Sequence, residues 1–364
     1  MSPITFLILV AGLVLLVIGA EFLVKGSSRL AAMLRIPPLI IGLTVVAYGT
    51  SAPEMSVSVM SALSADGADI AIGNVVGSNI CNVLLILGLS ALIAPLGVTK
   101  QMIRSDVPIM IGVSFLLLLF SLDGQLSKVD SIILFIGGVT YTLSLIYQSS
   151  KQSVEHDEFT EEYSLSEPVT LIAWVKNGVY IIGGLVLLVL GSRWLVASAI
   201  TIAEYFQVSK LIVGLTIVAV GTSLPELFTS VVASYRGETE IAVGNVLGSN
   251  IFNILAVLGI SGIVAPNGIN VSPTVISFDI PVMISVAFAC LPIFYSGKRI
   301  ERWEGILFLF YYVAYTAYLI LDSVDHPALP VFVNIMVLGV IPLTAIALIT
   351  IAIMEKRAKS KKTI

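Results

Sequence analysis

The chain has 364 residues, of which 57% are hydrophobic and 12% are charged, and its net charge is −4. Soluble domains carry charge on about a quarter of their residues, so this composition excludes an ordinary soluble domain. Several apolar runs exceed the about 18 residues that indicate a membrane-spanning helix, and they are continuous, unlike the alternating pattern of a transmembrane β-barrel. The sequence therefore predicts an all-α polytopic membrane protein.

The first apolar run has no basic region before it, which favours a retained helix over a cleaved signal peptide. In chain order, the hydropathy pattern predicts eleven spans, near 4–24, 37–63, 70–94, 106–121, 129–147, 171–196, 210–234, 241–264, 274–295, 303–321 and 329–353. The connections are short except for a polar, acidic segment at 149–169, which divides the chain into two halves. We expect this segment to be a solvated linker.

Lysine and arginine residues predict the orientation, because they concentrate on the cytoplasmic side of membrane proteins. If the N-terminus lies outside, sixteen basic residues fall on the inner side, against Lys128, Arg193 and Lys210 on the outer side. We therefore expect an outside N-terminus, an inside C-terminus and a cytoplasmic linker at 149–169. The basic tail EKRAKSKK then meets the anionic headgroups of the inner leaflet.

The two halves of the chain contain the same motifs. GLTVVAYGTSAPE, which begins at Gly42, returns as GLTIVAVGTSLPE from Gly214, and the segment 71–95 returns as 242–266. The second and seventh spans carry the first motif, and they cross the membrane in opposite directions because they are five spans apart. This pattern predicts two inverted-topology five-helix repeats, an arrangement found in secondary transporters whose substrate site lies near the midplane.

The motifs GTSAPE and GTSLPE lie near the midpoints of the second and seventh spans. The proline of each motif lacks an amide hydrogen, so the carbonyl four residues earlier, at Gly49 or Gly221, loses its helical partner. Inside a membrane such a carbonyl needs another partner, and a bound cation is one. Glu54 and Glu226 add acidic groups that cost about 2.5–3.5 kcal/mol each at mid-bilayer, and cation binding relieves that cost as well.

Two rows of oxygen-bearing side chains lie on the third and eighth spans. In each row an asparagine, a serine and a second asparagine recur at intervals of four residues, which places them on one helix face. The rows are Asn74, Ser78 and Asn82, and Asn245, Ser249 and Asn253. With the glutamates and hydroxyls of the two motifs they predict an all-oxygen site for a hard cation, Ca²⁺ in preference to Na⁺. Helix–helix packing is the alternative explanation for these rows.

These motifs resemble the two α-repeats of the sodium/calcium exchanger family, within the cation/Ca²⁺ exchanger superfamily. The resemblance covers 37–95 and 210–266 in sequence and the remainder in topology. It implies a ten-span exchanger core in which Ca²⁺ and Na⁺ bind at the paired motifs, with no cofactor, and in which the first and sixth helices slide against the rest. The ion ligands that it implies here are Glu54, Glu226, Thr50, Thr222, Ser51, Ser223, Ser78, Ser249, Asn82, Asn253 and the carbonyls of Ala47 and Ala219.

Two features depart from the family pattern. Asn253 stands where some relatives, including potassium-dependent ones, have an aspartate, which weakens the case for K⁺ co-transport. The eleventh span is additional to the ten-span core and is a candidate for packing or homo-oligomer contact. We accordingly divide the chain into a first repeat at 1–148, a linker at 149–169, a second repeat at 170–325, and an extra span with a basic tail at 326–364.

The sequence thus predicts a multi-pass protein of the cytoplasmic membrane that exchanges Na⁺ for Ca²⁺ by alternating access, with no enzyme activity and no nucleic-acid partner. A Ca²⁺/H⁺ antiporter of the same superfamily is the alternative, although that branch has an acidic residue where this chain has Val75 and Val246. A passive cation channel is less favoured, because one two-glutamate site on inverted repeats suits exchange better than conduction. An intramembrane hydrolase would need a zinc-binding histidine motif or a pair of mid-membrane aspartates, and the sequence has neither.

Two further pairs of charged residues occupy matching positions in the halves. Asp106 and Asp279 each precede a proline by two residues at the predicted start of a span. That is a helix N-terminus signature, so we expect both to be helix caps. Glu21 and Arg193 lie near the ends of their predicted spans and are expected at the membrane interface.

Overall fold

The computed structural model describes residues 3–63, 68–152, 170–206, 217, 219–295, 297–348 and 350–351, and these residues are mostly helical. The helices are Pro3–Leu34 (α1), Pro38–Thr50 (α2), Ala52–Leu63 (α3), Ile70–Ile93 (α4), Met102–Ser121 (α5), Lys128–Gln152 (α6), Leu171–Tyr205 (α7), Ala219–Gly221 (α8), Leu224–Tyr235 (α9), Thr239–Val264 (α10), Val275–Tyr295 (α11), Arg302–Ser323 (α12) and Leu329–Leu348 (α13). The order of α1–α6 returns in α7–α12, and α13 follows as an additional helix.

Nine of these helices, within the described part of the chain, are long and apolar enough to cross a membrane: α1, α4, α5, α6, α7, α10, α11, α12 and α13. They correspond to nine of the predicted spans, and the prediction of an all-α polytopic membrane protein is confirmed. The predicted second span is two helices, α2 and α3, which meet at Ser51. The predicted seventh span, 210–234, is described only in part, as α8 and α9, since residues 210–216 and 218 lie outside the described ranges.

Two other predictions concern residues outside the described ranges. The acidic linker is described only as far as residue 152 and again from residue 170, and the basic tail beyond residue 351 is not described. The prediction that Asp106 caps a helix is wrong, because α5 begins at Met102 and Asp106 makes no capping hydrogen bond. Asp279 likewise lies inside α11, four residues after its first residue.

The first helix of each half is longer than predicted. α1 has 32 residues and α7 has 35, whereas about 20 residues suffice to cross a bilayer. The two helices lie against each other at paired glycines, because a Cβ added at Gly19 would stand 2.9 Å from the Gly184 carbonyl oxygen. Such small-residue contacts let helix backbones approach closely within a membrane. Glu21 consequently lies inside α1, thirteen residues before its last residue Leu34, and its place at the membrane interface stays a prediction.

α4 and α10 form the centre of the molecule. Within the most apolar 18-residue stretch of each helix, 72% is buried in α4 and 83% in α10, compared with 6% in α13. Each central helix changes to a π-helical stretch at the second asparagine of its polar row, over Asn82–Leu87 in α4 and Asn253–Leu258 in α10. π-Helical turns inside α-helices occur frequently at functional sites.

Short antiparallel strand pairs join the two halves at their loops. Leu96–Gly97 (β1), after α4, pairs with Arg299–Ile300 (β4), between α11 and α12. Gln125–Leu126 (β2), between α5 and α6, pairs with Ile269–Asn270 (β3), after α10. Because each pair takes one strand from each half, the halves are interlocked, and side chains from both meet at the centre.

Candidate cation-binding site

Both GTSxPE motifs break the helix that carries them. α2 ends at Thr50, Ser51 has φ −79° and ψ 8°, and α3 begins at Ala52. In the second copy Ser223 has φ −87° and ψ 8°, and α9 begins at Leu224. The break places Glu54 and Glu226 in the first turn of α3 and α9. A helix N-terminus carries a partial positive charge that stabilises a carboxylate.

Each motif serine reaches the glutamate of the other repeat. The Ser51 hydroxyl donates to Glu226 Oε1 at 2.9 Å, and the Ser223 hydroxyl donates to Glu54 Oε1 at 3.1 Å. The same two hydroxyls lie 3.1 Å and 3.2 Å from the hydroxyls of Ser249 and Ser78, respectively. Two glutamates and four serines from both repeats therefore form one cluster.

The first asparagine of each polar row holds the helix break in place. Asn74 Nδ2 donates to the Glu54 carbonyl oxygen at 3.3 Å and to the Ser58 hydroxyl at 3.0 Å. Its Oδ1 accepts from the Thr222 hydroxyl at 3.4 Å, so a single amide links the two motifs. The described residues therefore give this side chain a positioning role.

The second repeat makes the matching contacts. Asn245 Nδ2 donates to the Glu226 carbonyl oxygen at 3.3 Å and to the Ser230 hydroxyl at 3.0 Å. Its Oδ1 accepts from the Thr50 hydroxyl at 3.1 Å. Both asparagines thus combine the packing role and the site role that the sequence left as alternatives.

The second asparagine of each row is held by a pair that the sequence analysis missed. Asn82 Nδ2 donates to Asn250 Oδ1 at 2.9 Å, and Asn253 Nδ2 donates to Asn79 Oδ1 at 3.1 Å. Asn79 and Asn250 also donate to each other's backbone carbonyls, at 3.1 Å and 3.3 Å. The signal was present, since each follows the serine of a GSN motif, at 77–79 or at 248–250, but that position lies on a different helix face from the polar row.

Four oxygen atoms at the centre have no hydrogen-bond partner among the described residues: Glu54 Oε2, Glu226 Oε2, Asn82 Oδ1 and Asn253 Oδ1. All four residues are only 1% exposed. Burying an unpaired polar oxygen, and above all a carboxylate, is unfavourable unless a partner compensates it. Two acidic and two amide oxygens form the donor set that a hard cation such as Ca²⁺ prefers.

The other predicted ligands lie around this centre with different surroundings. Thr50 and Ser51 are fully buried, and Thr222 is partly buried. The Ala47 carbonyl accepts the Ser51 amide at 3.0 Å and faces the Thr50 hydroxyl at 3.4 Å. Ala219 is the first residue of α8, three residues before Thr222.

The Gly221 carbonyl, which loses its helical partner at Pro225, has a side chain as its replacement partner. The hydroxyl of Ser192, on α7, donates to this carbonyl oxygen at 2.7 Å. A side chain from the neighbouring helix therefore compensates the helical hydrogen bond that Pro225 removes. Among the described residues, no group of three or more histidine, cysteine or acidic side chains is arranged to hold a metal, so any ion at the centre relies on neutral oxygens beside the two glutamates.

Comparison with known proteins gives consistent matches. The family model described as sodium/calcium exchanger protein matches residues 4–149 and 176–321. The putative antiporter CaxA of Alkalimonas amylolytica is 42% identical, covering 86% of this chain and 97% of that protein. The sodium/calcium exchanger MaX1 of Methanosarcina acetivorans is 34% identical, covering 86% of this chain and 98% of that protein. The solved structure of the sodium-calcium exchanger NCX_Mj, soaked with zero Na⁺ and Ca²⁺, superposes with a TM-score of 0.75 at 30% identity, over 88% of this chain and 100% of that chain.

Proposed function

This chain belongs to the sodium/calcium exchanger family, and we propose that it is a secondary active antiporter that exchanges Na⁺ for Ca²⁺ across the cytoplasmic membrane. The observation that carries the proposal is the pair of buried glutamates, Glu54 and Glu226, each with one carboxylate oxygen that has no partner among the described residues. The sodium/calcium exchanger MaX1 and NCX_Mj, to which the chain is similar, support the choice of ions.

Electrostatics explains why the two ions would exclude each other. Two carboxylates in a buried site repel each other, and one Ca²⁺ between them neutralises both charges. Na⁺ ions, whose ligands are also oxygens, would use the same carboxylates together with the serine and asparagine oxygens around them. Because both glutamates are needed to bind Ca²⁺ and also to bind Na⁺, the site holds only one kind of ion at a time. Transport of one ion therefore requires release of the other.

The implied ligand set follows the geometry of the cluster. Glu54 and Glu226 provide the charge, and Asn82 and Asn253 provide neutral oxygens that are free of other partners in the described residues. The remaining proposed ligands are Thr50, Thr222, Ser51, Ser223, Ser78, Ser249 and the carbonyls of Ala47 and Ala219. The serine hydroxyls that now donate to the carboxylates would turn their lone pairs towards an incoming cation, because a hydroxyl is both donor and acceptor.

We propose two inverted-topology repeats with an outside N-terminus and an inside C-terminus as the frame for alternating access. The family model matches the chain twice, once in each half, and the contacts of Ser51 and Asn74 have counterparts in those of Ser223 and Asn245. α1 and α7, which touch each other through glycines, are the proposed moving pair. α13, of whose most apolar stretch only 6% is buried, is the proposed surface for packing between copies.

Flux measurements in proteoliposomes test this proposal. Vesicles loaded with Na⁺ are diluted into Na⁺-free buffer that contains ⁴⁵Ca²⁺, and parallel samples replace the Na⁺ gradient with a proton or a K⁺ gradient. Uptake driven by the Na⁺ gradient alone is the expected result. Uptake driven only by a proton gradient would assign the chain to the Ca²⁺/H⁺ branch, and uptake without any counter-ion would indicate a channel.

Variants connect this flux to the central site. Glu54→Gln and Glu226→Gln should each abolish Na⁺-driven uptake, because each leaves one unpaired buried carboxylate. Glu204→Gln is the matched control, since Glu204 is an exposed glutamate near the end of α7. Uptake that survives both central substitutions would contradict the proposed site.

A further inference from the structure

A second buried carboxyl group lies outside the central cluster. Asp106 on α5 is fully buried, and neither of its carboxylate oxygens has a hydrogen-bond partner in the described part of the chain. The hydroxyl of Tyr141 on α6 also has no partner among those residues, although the side chain is more than nine-tenths buried. The residues at the corresponding positions of the second repeat, Tyr315 and Asp279, are hydrogen-bonded to each other at 2.9 Å, so the repeat relation brings Tyr141 and Asp106 towards one another.

The second repeat contains the same aspartate–tyrosine pair, and there the two side chains are hydrogen-bonded to each other. Asp106 begins DVPIMI and Tyr141 lies in VTYTLSLI, while Asp279 begins DIPVMI and Tyr315 lies in VAYTAYLI. In the second repeat, the Tyr315 hydroxyl donates to Asp279 Oδ1 at 2.9 Å. The aspartate and the tyrosine therefore satisfy each other in one repeat but not in the other.

Burying the polar atoms of Asp106 and Tyr141 without hydrogen-bond partners is unfavourable unless a ligand lies between the two side chains. An unsatisfied buried polar group costs about 1–3 kcal/mol, and more if it is charged. Gln101 lies at the start of the π-helical turn Met102–Asp106, five residues before Asp106, and its Nε2 atom has no partner among the described residues. A carboxylate, a phenol oxygen and a nearby amide together form an oxygen-rich site with a single formal negative charge.

The charge of this site selects its ligand. A monovalent cation neutralises one carboxylate, whereas a divalent cation would leave a net positive charge in a region of low dielectric constant, where an unbalanced charge is expensive. We propose that Asp106 and Tyr141 form a second cation site, for Na⁺, that is separate from the central glutamates.

The position of the second site connects it to the centre. Met110, one turn after Asp106 on the same helix face, lies 3.5 Å from Asn250 Nδ2 through its sulfur atom. Asn250 accepts from the Asn82 amide, so occupancy of the second site acts on the polar row that faces the glutamates. Tyr48, three residues before the helix break at Ser51, is hydrogen-bonded to Thr142, the residue that follows Tyr141.

Equilibrium binding of ²²Na⁺ to the purified chain tests the second site apart from the first. In the Glu54→Gln/Glu226→Gln background, where the central site is disabled, we expect saturable ²²Na⁺ binding to remain. Adding Asp106→Asn should remove it, and adding Tyr141→Phe should weaken it about tenfold, since one oxygen ligand to a charged group is lost. Adding Asp279→Asn or Tyr315→Phe, the matched changes in the other repeat, should leave it unchanged.

Two results would overturn the second site: an absence of saturable ²²Na⁺ binding in the glutamate double variant, which would leave Asp106 a protonated acid, or binding that persists after Asp106→Asn. Size-exclusion profiles establish that each variant is folded, and Tyr141→Phe carries the test if Asp106→Asn is not. The readout does not depend on exchange activity. Failure of Na⁺/Ca²⁺ exchange in the unmodified chain would therefore be distinguishable from failure of this site.

Discussion

The hydrogen bonds of the two repeats match at the centre of the molecule but differ at its edge, where α1 and α7 cover the helix breaks. The bond from Ser51 to Glu226, at 2.9 Å, is matched by the bond from Ser223 to Glu54, at 3.1 Å. By contrast, the 2.7 Å bond from Ser192 to the Gly221 carbonyl cannot be matched in the first repeat. The sequence GLVLLVLGSRWLV from Gly184 aligns with GLVLLVIGAEFLV from Gly12, which places an alanine opposite Ser192.

The contacts of the helix breaks show the same difference. A Cβ added at Gly49 would stand 2.6 Å from Leu185, and one added at Gly221 would stand 2.6 Å from Val196. Both neighbours belong to α7, whereas exact repeat symmetry would place the second contact on α1 at Leu13, the counterpart of Leu185. The α1–α7 pair therefore sits asymmetrically over a nearly symmetric centre.

This difference separates two functions of the fold. An ion that meets the same ligands from either side can be released to either side, so a symmetric centre suits exchange. Access, however, must be one-sided at any moment, and two inverted repeats achieve this when the covering helices take one of two related positions. Paired substitutions at matching positions distinguish these functions, because symmetric pairs should have equal effects and asymmetric pairs should not.

The largest expected effect comes from the two glutamates. Glu54→Gln and Glu226→Gln should each lower the apparent Ca²⁺ affinity in flux assays by more than about 100-fold, since removing one partner from a buried charge site costs about 3–5 kcal/mol. The two losses should be equal within a few-fold, because the environments match. A large effect of one substitution beside a small effect of the other would break the comparison.

The motif serines should show a smaller but equally balanced effect. Ser51→Ala and Ser223→Ala each remove one hydrogen bond to a carboxylate, worth about 1.5–3 kcal/mol. We therefore expect each to raise the Na⁺ concentration for half-maximal exchange by about tenfold or more. Ser56→Ala, at an exposed hydroxyl that bonds to its own helix, is the control and should have no effect.

An unequal result is expected at the edge of the molecule. Ser192→Ala leaves the Gly221 carbonyl without its donor and should lower the stability of the purified protein by about 1–3 kcal/mol, visible as a lower melting temperature. The matched substitution Ala20→Ser adds a hydroxyl where the first repeat does without one and should not produce the same loss. Equal destabilisation by both changes would show that the edge is as symmetric as the centre.

The smallest expected effect concerns an ion pair between α1 and the end of α9. The Arg236 guanidinium contacts both Glu21 carboxylate oxygens, at distances from 2.7 to 3.1 Å. Its members are partly exposed, so Glu21→Gln should change the exchange rate less than about threefold, and less still at high salt. Arg193→Gln, at the position that matches Glu21, is the control. A tenfold change that is independent of salt would contradict a surface contact.

The centre was more predictable from sequence than the edge. Apolar runs revealed the spans, and the repeated GTSxPE and GSN motifs placed Glu54 and Glu226 at one depth, because both signals depend on local pattern. The crossing of Ser51 to Glu226 depends on how the halves interlock, which no local pattern contains. Asn79 and Asn250 lie off the face that carries the polar row, so their pairing with Asn253 and Asn82 appears only in three dimensions.

The predictions that proved wrong have a common physical cause. Asp106 precedes Pro108 by two residues and therefore looks like a helix cap, but α5 begins four residues before Asp106, with the π-helical turn Met102–Asp106. Pro108 therefore lies inside the helix and does not mark its start. The end of α1 was predicted too early, near residue 24, because hydropathy detects the apolar part of this helix and not the polar end that extends it to Leu34. Helix ends are set by tertiary contacts that composition does not report.

The stoichiometry of ⁴⁵Ca²⁺ binding tests most directly whether the two repeats build one shared site. Saturation binding to the purified chain should give one Ca²⁺ per chain, with Na⁺ competing, and each of Glu54→Gln and Glu226→Gln should remove that binding entirely. Two bound ions in the unmodified chain, with each substitution removing half of the binding, would show that each repeat binds its own ion and would contradict the shared site.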